Sequence, residues 1–153
     1  SNEAKAELAS RHGCDHIIFY TREDVAKRVR EITAGEGVAV VYDGVGKDTF
    51  MGSLDSLRVR GMMVSFGNAS GPVSPFDPLL LSQKGSLFIT RPTLMHYIAK
   101  RDELLALGAE LFAVVSSGKV KIEVNQTYAL ADAANAHRDL ESRKTTGSTI
   151  LLP

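Results

Sequence analysis

The apolar positions of this chain fall into short runs and helical stripes that alternate along its length. The densest run is Val38-Ala-Val-Val-Tyr-Asp-Gly-Val-Gly46, where β-branched and small residues proceed without in-and-out alternation and then break at Gly44 and Gly46. Such a run predicts a strand covered on both faces, as in a parallel sheet flanked by helices. Before it, Glu3 to His12 reads as a helix closed by Gly13, and His16 to Phe19 as a short buried strand. Thr21 is the expected N-cap of the next helix, with Glu23 and Asp24 loading its first turn with negative charge. On that helix Val25, Val29 and Ile32 recur at helical spacing, while Lys27, Arg28, Arg30 and Glu31 are expected to face water. After the central run, Phe50, Leu54 and Leu57 predict a helix over about 47–59, ended by Gly61. Met62 to Phe66 is the next strand, and Pro72 to Pro78, with three prolines, is a loop. A helical turn at Leu79 to Gln83 leads to a fourth strand, Ser86 to Ile89.

Strands and helices chained in this way predict an α/β fold built on a parallel sheet. Beyond Pro92 the pattern changes. A long helix over about 98–117 ends at Gly118, and Val120 to Val124 alternates like a strand with one wet face. A helix over about 130–142 and a last strand, Thr149 to Leu152, complete a second unit.

In open parallel sheets ligands bind beyond the carboxyl ends of the strands. Asp43, Gly44 and Gly46 therefore stand where a ligand would lie. Asp43, between a strand and two glycines, reads first as a residue that opens the loop by hydrogen-bonding its own backbone. The composition narrows the partners: 18 basic residues balance 18 acidic ones, which argues against nucleic acid. No apolar run approaches the roughly 20 residues of a bilayer span. The single cysteine, Cys14, excludes an internal disulfide and fits a reducing cytoplasm, and no Cys/His pair has zinc-ligand spacing. His12, His16 and His96 have no acidic or hydroxyl constellation beside them in sequence, and His137 reads as a capping or packing residue of its helix, so no catalytic side chain is named.

Four segments point to a family. They are Val40 to Gly46, Gly61 to Gly71, Gly85 to Pro92 and Ala136 to Arg143. Their order and spacing resemble the C-terminal half of the NADPH:quinone oxidoreductases, the zeta-crystallin-like, zinc-free branch of the medium-chain dehydrogenases/reductases. The resemblance implies part of a Rossmann-type parallel sheet, with strands 3 to 6 of the order 3-2-1-4-5-6. Residues 1–96 would be a partial NADPH-binding domain, and residues 97–153 a C-terminal α+β segment belonging to the catalytic domain. The implied activity is hydride transfer from NADPH to a quinone or activated alkene (an enone, for example), without zinc.

The resemblance also implies which residues meet the cofactor. Lys5 and Tyr20 match a lysine and a tyrosine that hold the 2′-phosphate and adenine ribose, and Arg143 matches an arginine reaching the same phosphate. Gly44 and Val45 lie in the loop after the central strand, and Phe66, Gly67 and Asn68 match the loop beside the nicotinamide ribose. Gly44 stands where members often carry serine, which removes one hydrogen bond to the cofactor.

The family's Gly-rich fingerprint, with the helix N-terminus that takes the pyrophosphate, would precede residue 1, as would the N-terminal catalytic domain. The chain is therefore expected to be a fragment with little activity alone, and Ser1-Asn2 reads as the remnant of a tag. Without strands 1 and 2, the apolar faces of Ile17–Phe19 and Val38–Val41 would be uncovered. Three remedies stay open: another polypeptide supplies the rest, the 16–19 strand pairs directly with the central one, or two copies swap elements. The strand Ser86 to Ile89, at the sheet edge in the family, implies a homodimer across a two-fold axis. The alternative reading is a non-catalytic dimerisation or nucleotide-binding module.

Overall fold

Asn2 opens the first helix by accepting a hydrogen bond from the Lys5 amide on its side chain, and α1 runs from Glu3 to Arg11. It ends in two backbone bonds, Gly13 N to Ser10 O and Cys14 N to Ala9 O, with Gly13 in the left-handed region at φ +90°. In the computed structural model, which describes residues 2–153, the chain divides into two compact units, one up to His96 and one from Tyr97. Ser1, and with it half of the expected tag remnant, lies outside the described residues.

The first unit continues with α2 (Val25–Ile32), β1 (Val38–Asp43), α3 (Phe50–Asp55), β2 (Leu57–Ser65), α4 (Leu79–Gln83) and β3 (Phe88–Thr90), after which the short α5 (Leu94–Tyr97) follows. The three strands form a parallel sheet in the order β1-β2-β3, with Val41 opposite Met63 and Met63 opposite Ile89. One face of it packs on α3. Phe50, Leu54, Leu57, Met63 and Leu87 are buried there, with Val38, Val41, Val73, Leu80, Leu81 and Ile89 half-buried around them. The Phe76 ring closes the cluster 5.0 Å from that of Phe50.

Several expectations are corrected here. Asp24, not Thr21, caps α2, accepting from Lys27 N at 3.0 Å, while Glu23 turns back to accept from Phe19 N at 2.7 Å. Residues 16–19 join no ladder, because no strand lies beside them among the described residues to take up their backbone groups. Direct pairing of this segment with β1 is not seen. β1 itself is an edge strand rather than one covered on both faces: Val40 is 40% exposed and Tyr42 74%.

The helix expected over 47–59 is only six residues long, and Leu57 belongs to β2. Arg30 supplies the reason. It does not face water; its guanidinium donates to the carbonyls of Gly35, Glu36, Asp55 and Leu57 at 2.7–3.0 Å. Taking the last carbonyls around α3, it ends the helix and turns the chain into the sheet. β2 then carries an irregularity, since the register jumps from Val38–Leu57 to Val40–Met62. Arg60 adopts φ +60° inside this bulge and bonds Gly85 O at 2.8 Å. Gly61 is needed there because a Cβ would lie 2.9 Å from Arg58 O, not because it stops a helix.

The second unit comprises α6 (Arg101–Ser116), β4 (Val124–Ala129), a 3-10 turn (Leu130–Asp132), α7 (Ala133–Glu141) and β5 (Ser148–Leu152). The long helix expected over 98–117 is thus shorter at its start. β4 and β5 run parallel, joined across α7. The strand expected at Val120 to Val124 begins only at Val124, because the ladder starts where Ser148 N reaches Glu123 O at 2.8 Å and the partner offers nothing earlier.

Candidate functional site

β1 and β2 end at the same edge of the sheet, and the loops that follow them are joined by their backbones. Phe66 N donates to Asp43 O at 2.9 Å, Ala69 N to Gly44 O at 3.2 Å, Ser70 N to Val45 O at 2.8 Å and Lys47 N to Gly71 O at 3.1 Å. Ser70 Oγ adds a bond to Val45 O and receives one from Asp48 N. Behind the loops, Arg91 holds Ser65 O at 2.7 Å.

This contact requires glycine. A Cβ on Gly67 would stand 2.3 Å from Gly44 O, and one on Gly46, which sits at φ +88°, 2.7 Å from Gly71 O. A Cβ on Gly44 would meet the Phe66 ring at 3.0 Å, so any larger residue there would need that ring to move.

Asp43 holds the first loop in shape. It is 4% exposed, and its carboxylate accepts from Val45 N at 2.8 Å, Gly46 N at 3.0 Å, Thr49 Oγ1 at 2.8 Å and Ser53 Oγ at 2.6 Å. Burial by itself would raise its pKa. The hydrogen bonds from Ser53, the Gly46 amide, Thr49 and the Val45 amide together outweigh burial and hold the carboxyl below the usual carboxylate range. Asp43 is therefore a charged strut of the loop, as its sequence position suggests. Thr49 and Ser53 were not singled out from the sequence. The signal was there: two hydroxyls four residues apart share one face at the start of α3, directly after the acid.

The structure brings Gly44, Val45, Phe66, Gly67 and Asn68 together at this edge. Asn68 lies against Gly46, and the Phe66 side chain is 55% exposed over Gly44. Lys5 and Tyr20 sit elsewhere in the same unit. Lys5 is half-buried and lines a cavity of about 230 Å³ with Ala6, Ala9, Cys14, His16 and Phe19. Tyr20 lines a second cleft of about 290 Å³ with Glu23, Asp24, Thr49 and Ser53, so the hydroxyls that brace Asp43 also border Tyr20. Arg143 belongs to the second unit, just past α7.

At the loop edge glycines let a ligand approach the backbone closely and the exposed Phe66 ring offers an apolar face, so this edge is where a cofactor could be held. A profile of the family described as zinc-binding dehydrogenase matches residues 12–151. The chain belongs to the zinc-binding dehydrogenase family. Within this dehydrogenase family it is similar to the quinone oxidoreductase of Pseudomonas aeruginosa, 53% identical over the whole chain and 47% of that protein. It is 48% identical to the 2-haloacrylate reductase of a Burkholderia species, over all of this chain and 46% of that one. The crystal structure of Escherichia coli quinone oxidoreductase complexed with NADPH matches 99% of the chain, and 47% of the matched one, with a TM-score of 0.95 at 49% identity. The chain spans just under half the length of these dehydrogenase relatives.

No group of three or more His, Cys, Asp or Glu side chains is placed to hold a metal ion among the described residues. No helix among them is long and apolar enough to cross a membrane.

Proposed function

We propose that this chain forms the cofactor side of an NADPH-dependent, zinc-independent reductase of quinones or activated alkenes, acting in the cytoplasm. When bound, NADPH supplies the hydride. The observation that carries the reading is the pair of joined loops at the carboxyl ends of β1 and β2, on a backbone similar to that of a quinone oxidoreductase complexed with NADPH. In this reading residues 1–96 are part of the NADPH-binding domain and residues 97–153 a segment of the catalytic domain.

Each residue then has a role. Gly44, Gly67 and Asn68 lie along the nicotinamide half, the exposed Val45 side chain adds an apolar contact, and the Phe66 ring excludes water beside it. Lys5 places a point charge, and Tyr20 a hydroxyl, for the 2′-phosphate and adenine ribose. The family resemblance gives Arg143 a guanidinium-to-phosphate role as well. The chain contributes orientation rather than a covalent step.

The test is cofactor discrimination in the full-length protein. Lys5→Ala is expected to weaken NADPH binding on the order of tenfold, the worth of one charge-assisted contact, and to leave NADH binding unchanged. Equal weakening of both cofactors would overturn the phosphate assignment. The 153 residues alone are expected to show little turnover with NADPH and a simple quinone.

A second copy is proposed to pair along β3, whose outer edge has no partner strand among the described residues and whose Phe88 is exposed. Sedimentation at micromolar concentration should give a dimer; a monomer would reject this pairing.

A further inference from the structure

Gly44 is a glycine without a backbone reason. Gly46 and Gly71 lie in the left-handed region at φ +88° and +114°, but Gly44 lies outside it, so its φ does not demand glycine. Nor does a neighbouring backbone. For a Cβ on Gly46 or Gly67 the nearest atom is a carbonyl oxygen, whereas for one on Gly44 the three nearest heavy atoms all belong to the Phe66 ring, at 3.0, 3.2 and 3.7 Å. What position 44 accommodates is the ring.

That ring stands on a fixed base. Arg91 Nη1 donates to Ser65 O at 2.7 Å, Phe66 N donates to Asp43 O at 2.9 Å, and Gly67 lies close against the Gly44 carbonyl. Three successive residues are held while the Phe66 side chain stays 55% exposed. A lone exposed apolar side chain is ordinary. One whose backbone is tied on both sides, over a glycine kept clear for it, is a presented surface. At the carboxyl ends of parallel strands such a surface meets a ligand, and an aromatic face matches a flat, conjugated partner.

We infer that Gly44 and Phe66 are a specificity-determining pair for the acceptor: the glycine sets the height of the ring, and the ring forms one wall of the acceptor pocket. The inference rests on the quinone-reductase reading above and deepens it, since the ring size of the acceptor is then selected by one contact between the two joined loops.

Steady-state kinetics of the full-length protein at saturating NADPH, with benzoquinone and the wider naphthoquinone, test it. Phe66→Ala opens the wall and is expected to raise the naphthoquinone/benzoquinone ratio of kcat/KM on the order of tenfold. Gly44→Ala lifts the ring into the pocket and should lower the ratio severalfold. With the ring gone, Gly44→Ala should add nothing to Phe66→Ala in the double variant. A merely structural role would change the rates with both acceptors alike. A wild-type ratio in both single variants, or a Gly44→Ala effect that persists without the ring, overturns the inference. NADPH titration by nicotinamide fluorescence separates this from the reading beneath it. If the wild-type protein binds no NADPH or reduces neither quinone, that reading falls and the inference with it; if it does both while the ratios stay put, the inference alone falls. Should Phe66→Ala not fold, Phe66→Leu, which keeps apolar bulk but loses the flat face, is expected to move the ratio the same way and decides.

Discussion

Replacing Asp43 is the sharpest probe of the joined loops. In Asp43→Ala the Val45 and Gly46 amides lose their side-chain acceptor; an unpaired buried donor costs about 1–3 kcal/mol, in full at the buried Gly46 and less at the exposed Val45. The two hydroxyls have more freedom, since Thr49 Oγ1 already lies 3.4 Å from Gly46 O. A loss of about 3–4 kcal/mol follows for the alanine variant. Asp43→Asn keeps one oxygen for the amides, and its NH2 can donate to the hydroxyl oxygens, so about 1–2 kcal/mol is expected. Urea unfolding followed by circular dichroism measures both. The pH dependence adds a second check. The folded pKa of Asp43 is depressed, so its contribution is complete above the unfolded value of about 3.9. It is lost as pH falls through the lower folded value. The gap between wild type and Asp43→Asn should therefore hold from neutrality down to about pH 4 and close below it. An alanine variant within about 1 kcal/mol of wild type would refute the strut, since even one unpaired amide costs that much. So would a gap to Asp43→Asn that ignores acid.

Two other substitutions test the frame around the site. Gly67→Ala drives a methyl into the Gly44 carbonyl, which is backbone and cannot rotate away; a loss of about 3 kcal/mol, with weaker NADPH binding, is expected in thermal melts and cofactor titration. Arg30→Lys replaces a planar fork that serves four carbonyls with a single ammonium. It should cost about 2 kcal/mol in urea unfolding, and no loss would mean α3 is ended by something else.

β1 was legible because its apolar run is bounded by glycines at both ends, and the role of Asp43 was legible because an acid before two glycines has few other uses. The α3–β2 boundary was not, for Leu54 and Leu57 are both buried and their spacing imitates one helix face. The bond that separates them comes from Arg30, distant in sequence. His16 to Phe19 has the composition of a strand, yet a strand exists only with a partner, and composition says nothing about that. β4 was hidden by its polar letters, Asn125-Gln126-Thr127. Its pairing is set by β5 and by contacts such as Thr149 Oγ1 to Gln126 at 3.1 Å, which no local pattern encodes. Among the cofactor candidates, five of eight share one edge because they follow consecutive strands of one sheet. The half-buried setting of Lys5 depends on how α1 folds over residues 14–19, which is tertiary information.

Arg143, at φ +60°, also sets two selective pressures against each other. Glycine at that place would relieve about 1 kcal/mol of backbone conflict, so a search for thermostable variants should keep finding it. Each such hit would also discard the guanidinium that the proposed function gives to a phosphate, robustness gained against that role. Among the described residues Ala34, Arg60 and Ser86 share this left-handed backbone, and at position 143 an engineer should decline the easy gain.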